Sequence, residues 1–276
     1  MSKVWFVTGS SRGLGRQFVE AALSRGDKVA ATARGVEGFG GLVETYGDAV
    51  LPLAMDVTDR AAVFSAVERA VGHFGRIDVV VNNAGYAQIG AVEELSEAEL
   101  RDQMETNVFG AAWVVQAVLP HLREQGSGRI FQLSSAAGLI TVPLGAAYSA
   151  SKWALEGFNE ALAKEVAEFG IKVTIIEPGG FATRQGENPD PMNNGHMAEK
   201  LPAYDALRER LAGFAGKQPA GDPAAAAQAL LTLADHDDPP VRILFGTGFY
   251  PMVQQAYADR LKTWADWEDL AVAAQG

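Results

Sequence analysis

"KVWFVTGSSRGLGRQFVEAALSRG", residues 3–26, decides the fold. Its opening run, 3–8, is rich in β-branched and aromatic side chains and reads as a short buried strand. A glycine-rich turn follows. Beyond it, apolar residues recur at helical spacing until Gly26 supplies a stop signal. Strand, glycine turn and helix in direct succession set unpaired helix N–H groups beside a turn built for close approach, an arrangement suited to an anion. Gly9 permits the tight turn, Gly13 lets the backbone near a diphosphate, and Gly15 allows close helix–strand contact. The glycines fall as G-x-x-x-G-x-G, and a plain βα turn is the lesser alternative for this loop taken alone.

Working outward, the same alternation repeats. Strands are expected at 28–33, 49–57, 77–85, 128–135, 171–180 and 241–246. Helical spacing fills 60–75 and 96–122, the second opened by Ser96 with Glu99 three positions on, a capping box. Near-continuous Val/Ile/Leu strands separated by helices predict a parallel sheet covered on both faces. The expected fold is therefore a doubly wound, Rossmann-type α/β sheet of about seven strands in a single domain, 1–276. Residues 182–221, rich in Pro, Gly and Asn, interrupt the pattern and read as an inserted lid or substrate loop.

Bulk composition excludes several classes. The 276 residues include no cysteine, which removes disulfides, thiolate nucleophiles and Cys-ligated zinc. A net charge of −11 argues against a nucleic-acid surface. No apolar run is long enough to span a bilayer, so no membrane partner is expected and a cytoplasmic protein is. The histidines at 73, 121, 196 and 236 have no metal-ligand spacing, and no metal is expected.

"AAYSASKWALEGF", 146–158, sets Tyr148 and Lys152 four apart on one helix face, where a cation acidifies a nearby phenol. Such a phenol can exchange a proton with a carbonyl oxygen. Ser135 precedes Tyr148 by thirteen positions (148 − 135) and offers a hydroxyl to the same oxygen. With TGxxxGxG at 8–15, Asp56, NNAG at 82–85, Asn107, Ser135, YxxxK at 148–152 and PG at 178–179 followed by Thr183, the chain resembles a short-chain dehydrogenase/reductase. The landmarks run in order from Thr8 to Thr183.

The resemblance implies catalytic roles for Asn107, Ser135, Tyr148 and Lys152. It implies dinucleotide contacts from Gly9, Ser11, Arg12, Gly13, Leu14 and Gly15, and from Asp56, Val57, Asn83, Ala84 and Gly85. Tyr148, Lys152, Pro178, Gly179, Phe181 and Thr183 complete that set. Asp56 is equally a cap for the following helix, Asn83 a tie between strands, and Phe181 a core residue. The second strand ends at Ala33 with no acid, and Arg34 follows. Two guanidinium groups, Arg12 and Arg34, suit a 2′-phosphate, so the implied cofactor is NADP(H).

The implied partner is a small, hydrophobic carbonyl or secondary-alcohol substrate lined by Leu139, Ile140, Val142, Leu144 and Tyr204. A 3-oxoacyl-carrier-protein reductase and a non-catalytic NADP(H)-binding sensor are the alternatives. The resemblance also implies a homodimer or homotetramer formed through helices near 98–122 and 148–169, with Trp113, Val114, Phe158 and Leu162 on their faces. The tail with Trp264 and Trp267 reads as a cover for the pocket or a neighbour, or as a cap on the fold.

Overall fold

The structure, a computed structural model, describes residues 2–182, 196–212 and 220–276. Thr183 and much of the 182–221 insertion lie outside the described residues. Seven parallel strands form the sheet: β1 Val4–Val7, β2 Lys28–Ala33, β3 Val50–Ala54, β4 Val79–Asn82, β6 Gly128–Leu133, β7 Ile171–Pro178 and β9 Arg242–Phe245. Their order is β3-β2-β1-β4-β6-β7-β9. The chain leaves β1 toward one edge and returns at β4 to build toward the other, which opens a crevice at the carboxyl ends of β1 and β4. Two short strands, β5 Gln88–Ile89 and β8 His196–Met197, form a separate parallel pair above it.

Helices cover both faces because the central strands β1 and β4 are apolar and buried on both sides. On one face pack α1 Gly13–Ser24, α2 Gly40–Tyr46 and α8 Pro223–Asp235, around Trp5, Phe18, Phe39, Phe131 and Leu230. On the other face pack α3 Arg60–Phe74, α5 Gly110–Gln125 and α6 Ala146–Val166, around Phe6, Leu53, Val67, Leu122 and Ile130. Gly75, at φ +81°, ends α3 in the left-handed conformation that a β-carbon disfavours.

The long helical stretch predicted at 96–122 is not one regular helix. The Ser96–Glu99 capping box opens α4, Glu97–Met104, as expected. A π-turn then runs over Glu105–Phe109 before α5 begins. Such turns insert a residue into the helical ladder and re-aim side chains.

Of the residues expected on oligomer faces, Val114 and Leu162 belong instead to the intramolecular core. Trp113 packs partly buried against the same core, and Phe158 stays exposed, as does Phe109, whose ring stacks on Trp113. The insertion contributes α7, Asp205–Ala212. It is pinned to the body where Arg208 pairs with the buried Glu94 and where Tyr204 donates to Glu93 Oε2 at 2.7 Å. The C-terminus forms α9 Phe249–Asp266 and α10 Glu268–Ala273, neither of which buries a residue. No helix of the described residues is long and apolar enough to cross a membrane.

Candidate active site

The glycine loop leaves β1 beneath the end of β4. Gly9 and Gly13 both have positive φ, +62° and +60°. A β-carbon on Gly9 would stand 2.8 Å from the Ala84 Cα, so the two loops touch through bare backbone. Asn83 stitches them together: its Nδ2 donates to the carbonyls of Thr8 and Gly9, each at 3.0 Å. Thr8 returns the tie, its hydroxyl accepting from the amides of Asn83 and Ala84 at 3.0 Å. Asn83 therefore acts on the loop's shape.

Arg12 is the N-cap of α1, and its side chain does not cap the helix. The first-turn amides of α1 are thus left for a ligand, the condition under which a helix start binds an anion. Beside them a recess of about 300 Å³ is lined by Gly13, Arg16, Gln17, Ala182 and Asp222.

Arg12, Ser11 and Arg34 are exposed at the rim, and among the described residues neither arginine enters an ion pair. Leu14 packs against the core. Asp56 is exposed, its Oδ1 accepting from the Thr58 amide at 2.9 Å and hydroxyl at 2.8 Å. The helix cap is Asp59, which accepts from the Ala62 amide at 3.0 Å. Val57 is buried against Gly110 of α5. Glu37, which the sequence did not single out, folds back against Gly35 at the end of β2.

At the other end of the crevice Ser135, Tyr148 and Lys152 come together. Ser135 follows β6 and caps a short turn, its Oγ accepting from the Ala137 amide at 3.1 Å. The same hydroxyl lies beside the Tyr148 phenol. Lys152 is buried, and its Nζ donates to the Leu133 carbonyl at 2.8 Å. That Nζ lies 5.6 Å from the centre of the Tyr148 ring.

Burial pushes the Tyr148 phenol above its ordinary value, and Ser135 opposes the shift. Burial draws Lys152 down to about 8, against the pull of Glu156. The phenol is thus raised by desolvation and not acidified as the spacing of Lys152 predicts.

Asn107 sits in the π-turn, buried. Its Oδ1 accepts from the Tyr86 amide at 3.1 Å, and its Nδ2 donates to the Tyr86 carbonyl at 3.0 Å and to Ser151 Oγ at 2.9 Å. Ser151 Oγ in turn donates to the Tyr148 carbonyl at 2.7 Å. Asn107 thereby joins the loop after β4 to helix α6. Gly85 faces this junction: a β-carbon there would approach Asn107 Oδ1 to 3.0 Å and Lys152 Nζ to 3.8 Å.

Pro178 offers its carbonyl to Ser135 Oγ at 3.5 Å, and the Gly179 amide donates to Phe245. Phe181 turns into the core beside Phe245 and Leu230. Of the expected substrate lining, Leu139 is buried, Ile140 half-buried and Val142 exposed. Leu144 holds φ +67°, a costly value for a bulky residue. Its side chain packs with Ile89 and Ala91, against which Tyr204, Leu207 and Leu211 of the insertion lie. Leu144 and Tyr204 thus form a joint between lid and body. His196, on β8, packs its ring 4.7 Å from that of Tyr86.

The clamping residues Ser151 and Tyr86 carried no spacing signal, because each works through a partner distant in the chain. Among the described residues no group of three or more His, Cys, Asp or Glu converges as a metal site.

Residues 3–194 match the model of the short chain dehydrogenases. The chain belongs to that family. This short-chain dehydrogenase, an oxidoreductase by family, is 42% identical to the oxidoreductase BOA17 of Botryotinia fuckeliana over 276 residues, 99% of this chain and 100% of that one. It superposes on a solved short-chain dehydrogenase from Streptomyces avermitilis with a TM-score of 0.89 at 39% identity, covering 99% and 98% of the two chains. A short-chain dehydrogenase from Burkholderia cenocepacia, solved in complex with NADP, aligns with a TM-score of 0.75 at 27% identity over 96% and 97%.

Proposed function

We propose that this short-chain dehydrogenase transfers hydride between NADP(H) and the carbonyl or secondary alcohol of a small hydrophobic substrate. The observation that carries the reading is the convergence of Ser135 and Lys152 on Tyr148 at the end of the crevice opposite the glycine loop. Support for the dinucleotide comes from the uncapped start of α1 and the bare Gly9–Ala84 contact. The two exposed arginines, Arg12 and Arg34, and the NADP held by the Burkholderia cenocepacia relative favour a 2′-phosphate.

The bound dinucleotide supplies or accepts the hydride. The Tyr148 phenol gives a proton to the carbonyl oxygen, or takes it back from the alcohol. Ser135 donates a hydrogen bond to the same oxygen and stabilises the charge that develops there. Lys152 provides a fixed positive charge behind the phenol and donors for the ribose hydroxyls. Asn107 holds the loop before Tyr86 and the helix bearing Tyr148 at one spacing.

The dinucleotide-sensor alternative is disfavoured because Tyr148 and Lys152 are both present. The carrier-protein reductase alternative is disfavoured by the net charge of −11, which would repel an acidic carrier. A homodimer or homotetramer is proposed through the side that exposes Phe109 and Phe158.

The test is NADPH consumption with a panel of ketones and aldehydes by wild type and Tyr148→Phe. Tight NADPH binding with no carbonyl reduced would replace this reading by the sensor.

A further inference from the structure

Beyond Tyr148, helix α6 carries Lys152, Glu156, Glu160 and Lys164 at four-residue intervals, a spacing that stacks them on one face. The inner two are buried, Lys152 at 6% and Glu156 at 5% exposure. The outer two reach solvent and pair with each other at 2.8 Å. Arg242 reaches this column from β9. Its Nε donates to Glu156 Oε2 at 3.0 Å and its Nη2 to Glu160 Oε2 at 2.8 Å.

The other Glu156 oxygen turns inward toward the Ser134 hydroxyl. The two converge at Gly138, where a β-carbon would stand 2.6 Å from Ser134 Oγ and 3.0 Å from Glu156 Oε1. Strand alternation thus turns the adjacent serines toward different neighbours, Ser135 toward the phenol of Tyr148 and Ser134 toward the carboxylate of Glu156. A further carboxylate, Glu177 on β7, is buried with Oε1 3.8 Å from Arg242 Nε.

An ammonium buried with a carbonyl partner loses its hydration, and it stays charged there only if a carboxylate compensates. Glu156 is the group that does this for Lys152. Burial raises the Glu156 carboxyl above its ordinary range, and Ser134, Arg242 and Lys152 oppose the rise. Glu177 competes for the same guanidinium. Burial and the neighbouring Glu156 push it up to about 7, against the pull of Arg242.

We propose that Glu156 is the positioning residue for Lys152: its buried carboxylate, held by Arg242 one turn along the same face of α6, keeps the ammonium charged. This rests on the roles given above to Tyr148 and Lys152, and it assigns a function to a residue outside that set.

The test follows Lys152 directly in the full chain without dinucleotide, by carbon-13 NMR of ε-labelled lysine, with the resonance identified by its loss in Lys152→Met. Glu156→Gln is expected to lower the Lys152 titration midpoint by about one pH unit, a tenfold loss of proton affinity. The alkaline limb of the kcat profile should move acidward with it. Glu156→Asp, which keeps the charge, should restore most of the midpoint. Glu160→Gln, which removes only the outer partner of Arg242, should leave it in place; a purely structural role would affect both positions alike.

A midpoint equal in wild type and Glu156→Gln overturns the proposal. If Glu156→Gln does not fold, Arg242→Gln decides. Loss of the guanidinium that keeps Glu156 ionised must lower the midpoint, and one that stays or rises overturns the proposal. The NMR midpoint answers for Glu156 even if wild type reduces no carbonyl, an outcome that would count against the hydride-transfer reading instead.

Discussion

Gly15 lies so close to Asn83 that a β-carbon on residue 15 would overlap the asparagine Nδ2 and approach the Gly9 carbonyl to 2.6 Å. That Nδ2 holds the carbonyls of Thr8 and Gly9, so the overlap falls on the clamp that shapes the glycine loop. Gly15→Ala is expected to cost about 1–3 kcal/mol, as overpacking of a tight contact does. NADPH affinity should fall with it. Thermal unfolding and calorimetric titration measure both, and an unchanged Tm with unchanged affinity would show that the two loops can separate freely.

Tyr148→Phe removes the proton that the reading assigns to the carbonyl oxygen and keeps the ring. Turnover should drop by about two orders of magnitude or more. NADPH affinity should stay within a few-fold of wild type. Residual turnover near the wild-type level would transfer the proton to another group.

Arg34 stands where the second strand ends without an acid. Wild type is expected to favour NADPH over NADH by about tenfold or more, the worth of a charge-assisted bond. Arg34→Asp should erode that ratio, with NADH binding gained as NADPH binding is lost. Equal affinities in wild type would refute the 2′-phosphate reading, and an unchanged ratio in the variant would move the discrimination away from Arg34.

Glu177, pushed up to about 7 from an ordinary 4.5, binds its proton more tightly in the folded chain than in the unfolded one. Between pH 4.5 and 7 the native state therefore holds more protons, and this residue's contribution to stability declines as pH rises through that window. Glu177→Gln should be close to neutral at pH 5 and stabilising at pH 8, on the order of 1–3 kcal/mol. Unfolding curves at the two pH values measure the difference, and a variant equally stable relative to wild type at both would mean that Glu177 ionises normally.

Arg208 and Glu94 fasten helix α7 of the insertion to the loop after β5, with the Arg208 hydrogen bond holding the Glu94 carboxyl down at about 2. Arg208→Ala leaves that buried carboxylate without its cation. The lid should loosen, which raises KM several-fold while kcat changes little, and proteolysis within 196–212 should quicken. Kinetics that move only in kcat would place this pair in the chemistry instead of in closure.

Elements were legible where the signal is local. Strand β2 spans 28–33 as its apolar run indicates, and Gly75 and the Ser96–Glu99 box end and begin helices where their capping chemistry requires. The interruption at Glu105–Phe109 was hidden, because a π-turn keeps the composition of an ordinary helix. Asn107 explains why it is worth forming: the turn lets one side chain bond Tyr86 and Ser151, partners that lie 21 and 44 positions away. Helices α2 and α8 were also missed. Both lie in Gly- or Ala-rich stretches whose helicity is settled by packing on the sheet.

The chain's own order of residues determined the parallel sheet, the anion-binding turn and the family landmarks, since each depends on neighbours within a few positions. Tertiary structure decided what those landmarks experience. Folding half-buries Tyr148 beside the buried Lys152, so desolvation, and not the four-residue spacing alone, sets the direction in which each titrates. It also brings Arg242 from β9 onto Glu156, and it turns Leu144 and Phe181 into packing joints. Burial and charge compensation depend on distances through space, and no pattern along the sequence encodes them.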